Sequence, residues 1–135
     1  MGKNMENQEK HNEEKKVVRN YHYHPILSIE LFETLANLVR LSILQILKQH
    51  PNLNVGEIHK RVNESLQAAR ENKEFAEVLV EEIKLSVISQ HLKILRDRRY
   101  VLCTKAGLHT EYWLNTHRLK EVVKYTKDFL SGIAE

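Results

Sequence analysis

Residues 85–114, LSVISQHLKILRDRRYVLCTKAGLHTEYWL, contain two patterns that decide the fold. In the first half, apolar side chains recur every three or four residues, which at roughly 100° per residue places them on one stripe of a helix. In the second half, residues 101–104 alternate in polarity, residues 105–108 resemble a turn around Gly107, and residues 109–114 form a returning strand. We therefore predict a helix followed directly by a β-hairpin. The core stripe of this helix is expected to contain Leu85, Ile88, Leu92, Leu95 and Arg99, with His91 at its edge.

The outer face of the predicted helix is polar. Ser86, Gln90 and Lys93 lie opposite the core stripe. Glutamine forms a two-bond pair with adenine, serine can donate or accept, and lysine binds guanine or phosphate, so this face fits a helix that enters the major groove of DNA. Any surface helix also has a polar outer face, and the helix alone leaves both interpretations open.

The charge around this helix favours the DNA interpretation. From Lys84 to Lys105 there are six Lys or Arg against one acid, a local net charge of +5, whereas the whole chain carries +3. Positive charge is thus concentrated on the element that would approach the phosphates. A helix followed by a hairpin of this kind predicts a winged helix-turn-helix. The predicted DNA-binding residues are Ser86, Val87, Ser89, Gln90, Lys93, Arg96, Arg98, Lys105 and His109.

Length and composition indicate one folded domain. The 135 residues are 41% hydrophobic, and no stretch approaches the roughly 20 apolar residues of a membrane span. The N-terminus lacks the apolar segment of a secretory signal, and the single cysteine, Cys103, cannot form an intrachain disulfide, so we expect a reduced, cytoplasmic setting in which Cys103 is a small hydrophobe of a strand. Residues 1–20 are polar and are expected to form a disordered or frayed arm before a DNA-binding and dimerisation domain at residues 21–135.

The predicted fold is mainly α, within the α+β class, with about five core helices and a two-stranded wing. Ser28 and Asn37 are predicted to cap the first two helices, and Asn54 with Glu57 forms a capping box for the third. Asn115 or Thr116 is expected to cap a last helix at residues 117–131 that ends before Gly132.

An insertion precedes the predicted recognition helix, at about residues 64–84. An ordinary helix-turn-helix has a short turn here, but this segment lacks Gly and Pro and carries apolar residues at helical spacing. We predict that it is helical, either prolonging the third helix or forming a separate one. Because it is acidic, it should turn away from DNA. It also defines an alternative function, a winged helix protein interaction module with the acidic insertion as its docking surface for a protein partner.

The first and last helices have apolar faces that so small a chain cannot easily cover, which predicts a homodimer. A dimer would present two recognition helices to successive major grooves of a pseudo-palindromic site. The predicted interface residues are Leu27, Leu31, Leu35, Leu119, Val122, Val123, Thr126, Phe129 and Leu130.

Two motifs resemble those of ArsR-type bacterial repressors. Residues 35–44, LANLVRLSIL, resemble the family's LADPTRLRIL, and residues 85–95, LSVISQHLKIL, resemble its STVSQHLKVL recognition helix. Tyr100-Val101, Gly107 and residues 112–114 are similar to its wing, so the resemblance covers about residues 28–130. It implies a homodimeric winged helix protein that binds double-stranded operator DNA, usually represses transcription, and often releases DNA on binding an inducer. The chain departs from the family in the insertion and in Asn37-Leu38, which replaces Asp-Pro.

Many members of that family sense metals, but the ligand sets that the resemblance implies are incomplete. Residues 53–62 lack the cysteine pair of one site, and of the positions matching the other, Asn115, His117, Asp128 and Ser131, only His117 and Asp128 can bind a metal. Zinc normally takes at least three protein ligands. His22 and His24 also need a third ligand from elsewhere. We therefore expect no cofactor and no metal inducer, with these four residues as weak candidates, and the lack of a catalytic constellation predicts that the protein is not an enzyme.

Overall fold

The computed structural model describes residues 25–71 and 81–135, which form five helices and a three-stranded sheet. The predicted arm at residues 1–20 lies outside this part of the chain. The described chain divides into two compact units, Glu33–Lys120 and a second unit that combines Glu121–Glu135 with residues 25–32. The elements are α1 (Ile26–Leu35), α2 (Leu38–Gln49), β1 (Leu53–Asn54), α3 (Val55–Arg70), α4 (Leu85–Asp97), β2 (Val101–Ala106), β3 (His109–Leu114) and α5 (Thr116–Ala134).

Side-chain caps start α2 and α3, as predicted. Asn37 Oδ1 accepts a hydrogen bond of 3.0 Å from the Arg40 amide. Asn54 Oδ1 accepts from the Glu57 amide at 2.9 Å, and Glu57 Oε1 accepts in return from the Asn54 amide at 3.2 Å. Each cap satisfies amides that have no partner inside the helix, which confirms both predictions.

The core of the Glu33–Lys120 unit lies between α2, α3, α4 and the sheet. From α4 it takes Ile88, Leu92 and Leu95, which confirms the middle of the predicted stripe. The prediction was wrong at both ends of the stripe. Leu85 is the first residue of α4 and is 46% exposed, and Arg99 lies beyond the helix. The remaining buried apolar residues of this unit are Val39, Ile43, Ile46, Leu47, Leu53, Ile58, Val62, Leu66, Tyr100 and Val101.

The predicted hairpin is present, with two differences. Its antiparallel register runs from Val101 opposite Leu114 to Ala106 opposite His109, so Lys105 and Ala106 belong to β2 and not to the turn. The turn is Gly107-Leu108, and Gly107 has a φ of 65°, which glycine adopts without steric cost. The sheet also has a third strand that the sequence analysis missed, because β1 pairs with β3 on the side opposite β2.

The described part of the insertion is only partly helical. α3 continues to Arg70, so residues 64–70 prolong the preceding helix, one of the two predicted alternatives. Residues 72–80 lie outside the described chain. Residues 81–84 are not helical, and the predicted helix across them was wrong, because the backbone of Ile83 bonds to side chains of α3.

The other unit contains the first part of α1 and most of α5. Ser28 is buried within α1, so its predicted role as an N-cap was wrong: α1 begins earlier, and the amides of Ser28 and Ile29 both donate to the Pro25 carbonyl at 3.0 Å. Thr126 Oγ1 donates to the Val122 carbonyl at 2.8 Å and, because its only proton is used there, accepts from Ser28 Oγ at 3.0 Å. α5 continues through Gly132, which corrects the predicted helix end.

Candidate nucleic-acid interface

The outer face of α4 is polar and accessible. Ser86, Ser89, Gln90 and Lys93 are exposed, opposite the buried Ile88, Leu92 and Leu95, whereas Val87 is half-buried. Because the apolar side chains anchor one face of the helix, the four polar side chains project from the other with their donors and acceptors available. This geometry suits contact with the edges of bases.

A sharp turn ends α4 and directs the chain into the hairpin. Arg99 has a φ of 63°, its amide donates to the Arg96 carbonyl at 2.9 Å, and the Tyr100 amide donates to the Leu95 carbonyl at 3.0 Å. This pair of bonds is the Schellman motif, in which the residue of positive φ is usually glycine. A positive φ is sterically unfavourable for arginine. Arg99 nevertheless occupies this position and adds a third positive charge next to Arg96 and Arg98 at the end of the helix.

The arginines at the end of α4 differ in their availability. The Arg96 side chain is 48% exposed and lies 3.9 Å from Asp97, its sequence neighbour. The Arg98 side chain is only 27% exposed, and its Nη1 lies 3.9 Å from Glu33 Oε2 near the end of α1. Arg96 is therefore the more accessible of the two for a phosphate.

The tip of the hairpin adds basic residues beyond the end of α4. Lys105 and His109 are exposed, on opposite strands beside the turn, and Leu108 at the tip is fully exposed. Nearer the base, Cys103 is a half-buried free thiol opposite Tyr112. Burial, with a smaller effect of Cys103, raises the pKa of the Tyr112 hydroxyl, and the nearby charge of Arg96 acts in the opposite direction.

Arg40 links the inner side of α4 to α1, a contact that the sequence analysis missed. Its Nη1 donates to His91 Nδ1 at 3.1 Å, its Nε to the Thr34 carbonyl at 2.8 Å, and its Nη2 to the Glu33 carbonyl at 3.2 Å. A guanidinium can only donate, so Nδ1 of His91 accepts and the imidazole is neutral. Burial, and then the charge of Arg40, lower the pKa of His91 from its ordinary value. The position of Arg40 in the LANLVRLSIL motif was the available signal.

Of the four weak metal candidates, only His117 and Asp128 lie in the described part of the chain. Within residues 25–71 and 81–135, no group of three or more His, Cys, Asp or Glu side chains is arranged to hold a metal ion. His117 and Asp128 are both exposed on α5, and His22 and His24 lie outside the described residues. Of the helices in this part of the chain, none has the length and apolar content to span a membrane.

The predicted dimer residues differ in exposure. Leu31, Val122 and Thr126 are buried within the chain, Leu27, Leu35 and Leu119 are half-buried, and Val123, Phe129 and Leu130 are exposed. Four further apolar side chains on α1 and α5 are exposed but were not predicted to lie in the interface, because periodicity identifies an apolar stripe but not the part of it that the chain itself covers. These are Ile26, Ile29 and Phe32 on α1 and Ile133 on α5.

Comparison with solved structures identifies the fold. An ArsR family transcriptional regulator superposes with a TM-score of 0.56 at 17% identity, covering 82% of this chain and 90% of its own. NolR from Sinorhizobium fredii gives 0.54 at 18% identity (82% and 90%), and HlyU from Vibrio cholerae gives 0.51 at 24% (78% and 94%). No protein-family model and no curated protein sequence matched the chain. The chain therefore has the winged helix fold of ArsR-type transcriptional regulators.

Proposed function

We propose that the protein is a sequence-specific DNA-binding transcriptional regulator that acts as a homodimeric repressor at a pseudo-palindromic operator. The observation that carries the proposal is the exposed polar face of α4, with Gln90 and Lys93, next to basic residues at the helix end and the hairpin tip. The similarity in fold to a transcriptional regulator supports it.

In this proposal α4 lies in the major groove. Gln90 pairs with an adenine, Ser86, Ser89 and Lys93 contact neighbouring bases or phosphates, and Val87 contacts a thymine methyl group. Four basic residues lie against the phosphate backbone and supply affinity without sequence information. They are Arg96 and Arg98 at the end of α4 and Lys105 and His109 at the hairpin tip.

A second copy of the chain would cover the exposed apolar side chains of α1 and α5. Phe129 and Leu130 are 36% and 45% exposed, and a ring stack with Tyr125, at a centroid distance of 6.4 Å, holds Phe129 in place. Association of two copies removes such surface from water, which is the main favourable term in forming an interface. Leu130→Glu is expected to convert a dimer into a monomer in sedimentation experiments, with Lys127→Glu as an exposed control on the same helix. A monomeric wild type contradicts the dimer.

The experiment that tests DNA recognition begins by selecting bound sequences from random duplex DNA with the purified full chain. The selected duplex should bind at least about 10³-fold more tightly than a scrambled duplex of equal length. If Lys93, Arg96, Arg98 and Lys105 of two copies each neutralise one phosphate, the logarithm of the affinity should fall with the logarithm of salt concentration with a slope of about −7. Equal affinity for the selected and scrambled duplexes would refute the proposal.

A further inference from the structure

The connection between α3 and α4 is much longer than the turn of an ordinary helix-turn-helix. That turn has three or four residues and directly sets where the second helix begins. Here α3 ends at Arg70 and α4 begins at Leu85. The length of the covalent connection therefore does not fix the start of α4.

Two side chains of α3 hold the backbone of Ile83, just before α4. Asn63 Oδ1 accepts from the Ile83 amide at 2.8 Å, and Asn63 Nδ2 donates to the Ile83 carbonyl at 2.9 Å. His59 Nε2 donates to the same carbonyl at 2.8 Å. The amide of Asn63 thus pairs with both polar groups of one residue, as the backbone of a neighbouring strand would.

These contacts lie at both ends of the inserted segment. Asn63 follows Val62, whose side chain is fully buried, and Ile83 comes two residues before the first residue of α4. Arg70 Nη2 also donates to the Glu81 carbonyl, so the returning chain is bound to α3 at a second point. The N-cap residue of α4, Lys84, makes no side-chain capping bond in the described structure. Among the side-chain hydrogen bonds of the described residues, those to Ile83 therefore lie nearest to the start of α4.

We propose that Asn63 is a positioning residue for the recognition helix, because its bonds to Ile83 join two residues 20 positions apart and replace the short covalent turn of an ordinary helix-turn-helix. The proposal rests on the proposed function only in assigning recognition to α4. An asparagine suits this role because its side chain is both donor and acceptor. Aspartate accepts only, and alanine does neither.

The first test compares Asn63→Ala with the wild type in the full chain. Without DNA, amide hydrogen exchange at Ile83 and in the first turn of α4 should become at least tenfold faster, while exchange at Leu92 and Leu95 changes less. Affinity for a selected duplex should fall about tenfold. Ser65→Ala is the matched control, since it removes an exposed polar side chain of α3 two residues from Asn63 and should leave both measurements within twofold. Unchanged exchange at Ile83 in Asn63→Ala overturns the proposal.

The second test replaces residues 72–80 with a three-residue Gly-Ser-Gly linker, which shortens the covalent connection and keeps α3 and its buried Leu66 intact. In the shortened chain, Asn63→Ala should change the rate of amide hydrogen exchange at Ile83 less than threefold. This measurement decides the test if Asn63→Ala unfolds the full-length chain. An equal effect of Asn63→Ala in both backgrounds overturns the proposal. If the wild type binds no duplex preferentially, the proposed function fails, but the exchange measurements still decide the role of Asn63.

Discussion

Replacing Arg40 with methionine should destabilise the protein by about 2–4 kcal/mol. The guanidinium makes part-buried bonds to the Thr34 carbonyl at 2.8 Å and to His91 Nδ1 at 3.1 Å, and an exposed bond to the Glu33 carbonyl at 3.2 Å. Part-buried bonds from a charged donor contribute about 1–2 kcal/mol each, and the exposed bond adds little. Methionine keeps much of the hydrophobic volume, so most of the loss reflects the hydrogen bonds.

The free energy of unfolding from urea titration measures this loss. Arg61→Met is the matched control, because Arg61 Nη1 makes one bond of 3.0 Å to His50 Nε2, away from α4, and should cost about 1 kcal/mol. A double-mutant cycle between Arg40→Met and His91→Ala should give a coupling energy of about 1 kcal/mol. A loss under about 0.5 kcal/mol with no coupling would refute the role of Arg40.

The same pair predicts a dependence on pH. Folding lowers the pKa of His91, so below its ordinary value of 6.5 the unfolded chain binds more protons than the folded chain. The contribution of His91 is therefore complete above that value and is lost as the pH falls through 6.5 towards the folded pKa. In Arg40→Met the positive charge is gone and only burial lowers the pKa, so the loss between pH 7.5 and pH 5 should be smaller than in the wild type. An identical loss in both proteins would contradict the pairing.

Three further predictions concern local features and are measured by the free energy of unfolding. Leu92→Ala, at a core position 1% exposed, should cost about 2–5 kcal/mol, whereas the exposed Lys93→Ala should cost under about 0.5 kcal/mol. Equal losses would contradict the assignment of the buried and exposed faces of α4. Arg99→Gly should be about 1 kcal/mol more stable than Arg99→Ala, because both remove the charge but only glycine adopts a φ of 63° freely; an equal or lower stability would contradict that conformation. Asn54→Ala should lose about 1 kcal/mol by removing the capping box, and no loss would show that it contributes nothing.

The features that the sequence predicted correctly depend on neighbours within a few positions. Asn37 and Asn54 cap helices through amides three residues away, and Gly107 forms its turn through its own backbone freedom. Ile88, Leu92 and Leu95 were recognisable because a helix places them on one face whatever surrounds it. The polar residues of α4 follow from the same periodicity.

The features that were missed depend on residues far apart in the chain. Arg40 and His91 are separated by 51 positions, and the two residues of β1 become a strand only because Tyr112 and Glu111 pair with them. Ser28 could not be recognised as a buried residue because its partner, Thr126, lies 98 positions away. Residues 81–84 have helix-forming composition, yet a side chain of α3 binds the backbone of Ile83, and composition does not report such a contact.

The central claim, that α4 recognises sequence while the hairpin tip supplies affinity, is tested by comparing Gln90→Ala with Lys105→Ala. Each variant is titrated against the selected duplex and against duplexes carrying single base changes. Gln90→Ala should lose about 1–3 kcal/mol on the selected duplex and discrimination at one position per half-site, with an unchanged salt slope. Lys105→Ala should weaken binding to every duplex alike and reduce the salt slope by about 1 for each copy bound. An equal loss on every duplex for Gln90→Ala would contradict the assignment of α4 as the recognition helix.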